Sequence, residues 1–403
     1  MTLDYDVIVV GAGVGGAALA LGLAHAWPLR VLVVERQAGP GKVNRGDSLL
    51  PAVTAQLAAW GALERFVAAG ARPLERMQVF HHRAGLLLET RFDELPLRHP
   101  YLVLPHADIE RVLAEAAEAT GRVEIRYRST VARLIEEGGR VRGVAAPREG
   151  GGETILRARL VVGADGSSSL VRAALGVPFV KKPYDHSFFV IELERPAAYR
   201  DAMRIELHPK GGVLIVPHPS GARIGLGVLV QPDEQDLFRA APIEARLAAI
   251  RRRSPLLTDC RRPFPGFHLY RLSRAHAERY TARGAALIGD AAHVTNPTAG
   301  QGMTMAIEDA AALARHAGPV LAAGDNDVDL DRALLAYETE RRPLNAGLVR
   351  WSHWMSRFYA WPGAFGDWLR RGVFSLGGSP LGRWLQRSIW ARVAARPELQ
   401  GAR

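Results

Sequence analysis

The sequence predicts an α/β protein in which a Rossmann-like unit carries an inserted antiparallel β-sheet and ends in a helical segment. Three observations lead there. A glycine-rich turn follows a wholly apolar strand near the N-terminus and opens a helix. Between Ser187 and Val230, strand-like runs alternate with turns containing Pro and Gly. From Arg341 onward the chain becomes basic and rich in tryptophan.

The first element is "DYDVIVVGAGVGGAALALGLAHA", a strand, a turn and a helix. Val7 to Val10 form a continuous apolar run, as expected of a parallel strand covered on both faces. A second strand, Arg30 to Arg36, completes a βαβ unit. The turn matches G-x-G-x-x-G through Gly11, Gly13, Val14, Gly15 and Gly16, with Glu35 and Arg36 following at the end of the second strand. In that context the pattern is a dinucleotide-binding fingerprint. Gly11 permits the tight turn, Gly13 lets the backbone approach a pyrophosphate, and Gly16 lets helix and strand pack closely. The helix N-terminus offers bare N–H groups to phosphate, and Glu35 can accept from a ribose hydroxyl.

Further along, His106 to Ala119 has helical periodicity, and Arg159 to Gly176 reads as strand, turn and helix. "RMQVFHH" and "GLLLETRF" form a hairpin that joins the sheet made by "SFFVIELE", "MRIELH", "GGVLIVPH" and "ARIGLGVLV", which is expected to be antiparallel. Asp331 to Arg350 is helical.

The totals agree. A chain of 403 residues, 48% hydrophobic and 23% charged, suits one large domain or two to three intertwined ones. Cys260 is the single cysteine, so no intrachain disulfide can form, and a reducing, cytoplasmic setting is expected. The first apolar run is too short for a signal peptide, and no run is long enough to cross a bilayer. The net charge of +11 is concentrated after Arg341, where eleven arginines face Asp367 and Glu398 and six of the eight tryptophans lie. No metal site and no nucleic-acid partner are expected.

Two further stretches, "GADGSSSLVR" from Gly163 to Arg172 and "GDAAHVTNPTAGQGM" from Gly289 to Met303, follow the glycine turn in order. Together the three resemble the signatures of the FAD-dependent aromatic hydroxylases, the group A flavoprotein monooxygenases of the para-hydroxybenzoate hydroxylase fold. The resemblance covers roughly residues 1–345. It implies an FAD-binding domain over 1–72 with 100–180 and 273–345, a substrate-binding sheet domain over 73–99 with 181–272, and a basic helical segment over 346–403. Asp290 would contact a ribityl hydroxyl. Gly300 would let the chain pass the flavin, and the N–H groups of Gly302, Met303 and Thr304 would reach the pyrimidine edge of the ring. A helix from about Met305 would then stabilise negative charge on the reduced ring. Arg45 in "VNRGDSLLP" matches an arginine beside the flavin. Asp165 and Arg172 either contact FAD and NAD(P)H or brace their loop. His106 stands where relatives carry Arg or Gln against the phosphates; it donates one bond there or caps its helix.

The resemblance also implies the chemistry. NADH or NADPH would reduce FAD, unless another protein supplies reduced flavin, and O2 would form a C4a-hydroperoxyflavin that oxygenates an electron-rich aromatic. Pro297 would lie beside the ring. The substrate would sit against the inserted sheet, with Phe189, Arg204 and Val216 as candidate contacts and His208 or His218 as a candidate base. "NRGDSLLPAVTAQLAAWGALERF" and "YETERRPLNAGLV" are most similar to the quinoline and alkylquinolone pathway enzymes, which points to a lipophilic quinolone or related secondary metabolite. The alternatives within the superfamily are an FAD-dependent reductase of prenyl double bonds, a halogenase and an inactive FAD-binding homologue. The halogenase motif W-x-W-x-I-P is missing, and the intact cradle argues against an inactive protein. The Trp/Arg-rich stretch 351–396 is read either as a basic cap on the nucleotide-binding unit or as a peripheral membrane contact. A monomer or homodimer is expected.

Overall fold

The computed structural model describes residues 3–41, 48–95, 97–148, 151–260, 263–324 and 326–394. At its centre is a sheet with strands in the order Thr281–Ala282, Ala285–Leu287, Glu153–Gly163, Tyr5–Val10, Val31–Val34 and Val123–Arg126. From Ala285–Leu287 across to Val123–Arg126 all neighbours are parallel. Arg133–Glu137 and Arg140–Pro147 add an antiparallel hairpin to Glu153–Gly163. Val7 to Val10 are all buried, as a strand flanked by neighbours and covered by helices must be. Helix Val14–Ala26 is buried without a break from Gly16 to Ala24 and packs against helices His106–Glu118 and Gly302–Ala323. A helix that is apolar all round belongs in a core.

The second sheet has the order His293–Val294, Pro263–His276, Lys182–Glu194, Arg223–Val230, Val213–Pro217, Met203–Leu207, Arg76–His81 and Gly85–Arg91. It is antiparallel with one exception. Met203–Leu207 runs parallel to Arg76–His81, where an antiparallel pairing was expected. The hairpin comes from far earlier in the chain, so no tight turn dictates its direction. Pro263–His276, not singled out in the sequence, carries the chain from this sheet to the strand His293–Val294, pairing His276 with His293.

Alternation divides the second sheet into two faces. One packs Phe189, Ile191, Ile215, Leu226 and Val228 against Phe238, Leu247 and Ile250 of helices Gln235–Ala240 and Ile243–Arg251. The other turns Met203, Leu214 and Val216 toward Leu97, Tyr101 and Val103, beside a short three-stranded ribbon of Ser48–Leu49, Leu102–Val103 and Arg72–Pro73.

The last helices exceed the sequence expectation. Asp327–Ala360 is one helix of 34 residues that spans Pro343; its N-cap Asn326 Oδ1 accepts from Val328 N and Asp329 N. Gly363–Gly377 and Pro380–Ala394 follow, packed on the edge strand Gly85–Arg91 through contacts such as Thr90 Oγ1 donating to Gln386 Oε1 at 2.8 Å. Among the described residues no helix is long and apolar enough to cross a membrane.

Candidate active site

The glycine turn is built so that no side chain fits. Gly11 has φ +104°, and a Cβ there would lie 2.5 Å from the Ala164 carbonyl oxygen. A Cβ on Gly16 would lie 1.9 Å from the Gly11 oxygen. Gly13 differs: the nearest atom to its missing Cβ is Glu110 Oε1 at 3.7 Å, so the space before it is open on the protein side. Glu35 closes the turn from the next strand, its Oε2 accepting from Ala12 N at 2.8 Å and its Oε1 from Gln37 N at 2.7 Å. Arg36 beside it is exposed.

The stretch from Gly289 reaches the same place. Gly289–Ala291, holding Asp290, is a 3-10 turn at the end of the buried strand Ala285–Leu287. Pro297–Ala299 is a second such turn, ending in the left-handed Gly300. Pro297 is half-buried. The following helix starts at Gly302 rather than near Met305, so Gly302, Met303 and Thr304 form its first turn. Their N–H groups are the ones a helix leaves without internal partners. Neither this helix nor Val14–Ala26 has a side-chain cap or an acidic residue in its first turn. The two are side by side: a Cβ on Gly15 would lie 3.4 Å from Ala306 Cβ, and one on Gly289 would lie 3.2 Å from the same atom.

Two positive helix ends thus converge with no acidic side chain in the first turn of either, which suits a ligand carrying phosphates and a second region of negative charge. Two buried polar atoms fit as well. His106 Nδ1, at the start of helix His106–Glu118, and Asp165 Oδ1 have no partner among the described residues. Arg45 lies outside the described residues.

A family model for the FAD binding domain matches residues 4–352. The chain belongs to the FAD-dependent aromatic monooxygenases. It is 32% identical to 6-methylpretetramide 4-monooxygenase of Streptomyces rimosus, over 84% of this chain and 80% of that one. It is also 32% identical to rifampicin monooxygenase of Streptomyces venezuelae, over 84% of this chain and 68% of that one. Among solved structures, PqsL, a probable FAD-dependent monooxygenase from Pseudomonas aeruginosa, matches with a TM-score of 0.78 and 26% identity, covering 88% of this chain and 96% of that one. PqsL has also been solved with 2-aminobenzoylacetate.

In this monooxygenase the cradle rests on a buried network not assigned from the sequence. Asp309, fully buried, accepts from Gly289 N at 3.1 Å, Arg341 Nε at 2.9 Å and Asn345 Nδ2 at 2.8 Å, and lies 2.6 Å from His293 Nε2. Burial alone would raise its pKa, but His293 and Arg341 outweigh that and hold it at about 2. Tyr337 adds a hydroxyl donated to the Leu287 carbonyl at 2.8 Å. Ser352 Oγ accepts from Asn296 N at 3.1 Å and so holds the turn that carries Pro297. The long helix Asp327–Ala360 is therefore the back wall of the cradle.

Asp165 and His106 show specific partners. Asp165 Oδ2 accepts from Leu170 N at 2.7 Å and Val171 N at 3.2 Å, so it braces the loop while Oδ1 remains available. Arg172 ties that loop to the other motif by donating to the Ala291 carbonyl at 2.8 Å. His106 Nε2 is 3.2 Å from Glu110 Oε1, and Glu110 Oε2 accepts from Gly41 N at 2.7 Å. Glu110 is a neighbour of Gly13 that the sequence reading missed; its place one helical turn after His106 was the available signal.

The substrate candidates fall on different faces. Phe189 is buried in the helix-covered face, 5.1 Å from the Phe238 ring. Arg204 shares that face, pairing with the buried Glu206 and lying over the Phe80 ring. Val216 is on the opposite face, beside Leu214, Leu97 and Tyr101.

The histidines separate too. His218 is in the turn after Val213–Pro217, where its Nδ1 is 2.9 Å from Ser220 Oγ. His208 lies at the far end of Met203–Leu207, its ring 5.0 Å from that of His82, and burial brings its pKa down to about 4. His81 and His82 both reach Asp367 Oδ2, at 3.0 and 3.1 Å. The three could in principle hold a metal ion. However, His81 Nδ1 accepts from the N–H groups of Arg83 and Ala84, which places its proton on Nε2, facing Asp367. A metal would need that lone pair. The arrangement is a hydrogen-bonded clamp between the sheet and the C-terminal helices.

Proposed function

We propose that this chain uses FAD, reduced by NADH or NADPH, and O2 to oxygenate an electron-rich aromatic substrate such as a lipophilic quinolone or related secondary metabolite. The convergence of the two uncapped helix N-termini at the glycine turn and the Gly289–Gly302 stretch is the observation that carries this. FAD, when bound, supplies the redox and oxygen chemistry. The residues of the chain supply the rest. Gly11, Gly13, Val14, Gly15 and Gly16 admit the pyrophosphate, with Glu35 on the ribose. Asp290 takes a ribityl hydroxyl. The N–H groups of Gly302, Met303 and Thr304 favour negative charge on the ring.

The substrate is proposed to lie on the face of Val216, between the cradle and Leu97, Tyr101 and Leu214, with Pro297 beside it. The residues on that face are apolar, which suits a lipophilic ring and excludes water. Phe189 and Arg204, held on the other face, support the sheet instead. His218 is the better-placed candidate base: burial lowers its pKa and keeps the imidazole neutral, against the opposing charges of Glu192 and of Asp108 on helix His106–Glu118. The division into residues 1–72 with 100–180 and 273–345, 73–99 with 181–272, and 346–403 is part of the same proposal. So are a cytoplasmic location, a monomeric or homodimeric state, and peripheral contact of segment 351–396 with a membrane.

Incubation with a quinolone panel under 18O2 tests the reaction. A product carrying one labelled oxygen is expected. Val216→Trp is expected to raise KM roughly tenfold or more by overfilling the chamber, with FAD content unchanged. Unlabelled or unchanged substrate throughout, or a Val216→Trp enzyme with wild-type KM, would overturn the reaction or the chamber respectively.

A further inference from the structure

The outer surface of the C-terminal helices takes no part in this chemistry. Helix Gly363–Gly377 turns Asp367 inward to His81 and His82, and Arg370 Nη1 donates to the carbonyls of Trp361 at 2.7 Å and Phe358 at 3.2 Å. Gly377 and Gly378 pack on Leu87 and Leu88. With its inner face occupied, the helix shows solvent Phe365 (59% exposed), Trp368 (63%) and Leu376 (66%), which share one helical stripe. Trp361 extends the stripe at the preceding corner: its ring is 5.5 Å from Phe365, which is 5.8 Å from Trp368. The adjoining helices expose Trp354 (70%) and Trp384 (62%).

Among the described residues, the exposed charged side chains that these helices themselves carry from Arg350 onward are all positive. Arg350, Arg357, Arg371, Arg383 and Arg387 are exposed, and Arg387 is paired with Glu94. Asp367, the acid of this stretch, is buried. Clustered exposed apolar side chains on a soluble chain mark a binding surface. Indole rings favour the region between lipid and water, and arginines are drawn to an anionic leaflet. A second copy of the chain would bring the same positive charges to the same patch in a two-fold interface, which opposes self-association.

We propose that the Trp361–Phe365–Trp368 stripe and the exposed arginines of the same and adjoining helices form a docking surface for an anionic phospholipid bilayer. This rests on the peripheral contact proposed above and not on the reaction, because lipid binding is read without turnover. The test is flotation of the full-length, FAD-loaded chain with vesicles of phosphatidylcholine alone or of an equimolar mixture with phosphatidylglycerol. The chain is expected to float with the mixed vesicles, to stay behind with the neutral ones, and to be released by salt. Phe365→Ser with Trp368→Ser is expected to lower vesicle affinity about tenfold or more. Arg357→Glu with Arg371→Glu is expected to remove the preference for anionic lipid. Unchanged FAD content and thermal midpoint show that both variants are folded. Flotation on neither vesicle would overturn the membrane contact itself. Equal flotation on both would overturn the anionic recognition alone. A wild-type dimer that the serine variant converts to monomer, with no lipid binding by either, would assign the stripe to a second copy. An error in the reaction would appear as missing product with flotation intact.

Discussion

Gly13→Ala is expected to give a folded chain that binds FAD more weakly, whereas Gly16→Ala damages the fold as well. The two glycines are three positions apart and meet different surroundings. A Cβ on Gly16 would lie 1.9 Å from the Gly11 carbonyl oxygen, so strand and helix must separate to admit it. A Cβ on Gly13 meets nothing closer than Glu110 Oε1 at 3.7 Å, so the protein alone tolerates it. What it blocks is the approach of a pyrophosphate to the backbone. The expected loss of FAD affinity is about tenfold to a hundredfold, the worth of one or two hydrogen bonds to a charged group. Fluorescence titration of apoprotein with FAD, beside thermal unfolding without FAD, reads the two effects separately. A Gly13→Ala chain with wild-type affinity would mean that the pyrophosphate binds elsewhere.

Asp309→Ala is expected to be the most destabilising single change near the site. Removing a carboxylate that is fully buried takes away the acceptor that Arg341 and His293 share, leaving Arg341 with Glu308 and Asn345, and releases Gly289 N. Breaking such a pair costs about 3–5 kcal/mol. The same network gives a pH dependence. The folded-state pKa of Asp309 is depressed from 3.8 to about 2, so its contribution is complete above about pH 4 and is lost as pH falls toward 2. Urea unfolding of wild type across that range should show this loss, and Asp309→Ala should not. A variant with wild-type stability and FAD content would remove the network from the account of the cradle.

Much of this architecture was legible because its causes are local. Gly11 and Gly16 are glycines for steric reasons that act within one turn, and Val7–Val10 betrays its double-sided burial by being apolar throughout. The bare backbone from Gly289 to Gly302 is likewise readable as a place where a ligand approaches. Other features depend on separation in sequence. Asp309 follows a conspicuous motif on the same helix, yet its role appears when Gly289, His293, Arg341 and Asn345 are gathered round it by folding. Alternation shows that Phe189 and Val216 occupy strands with two faces, but helices Gln235–Ala240 and Ile243–Arg251 decide which face is closed. The parallel pairing of Met203–Leu207 with Arg76–His81 joins segments with no turn between them, so no turn signal exists. The clamp of His81 and His82 on Asp367 spans 286 and 285 residues and had no local sign.

The central claim, an FAD site gated for aromatic oxygenation, is tested most directly by anaerobic stopped-flow reduction of the holoenzyme flavin with NADH and with NADPH. Each is run alone and with phenols, anthranilates and 2-alkyl-4-hydroxyquinolines. Loss of the oxidised flavin absorbance is expected with one of the nucleotides, accelerated strongly by one class of aromatic. A flavin that neither nucleotide reduces, with every compound present, would contradict a self-sufficient monooxygenase.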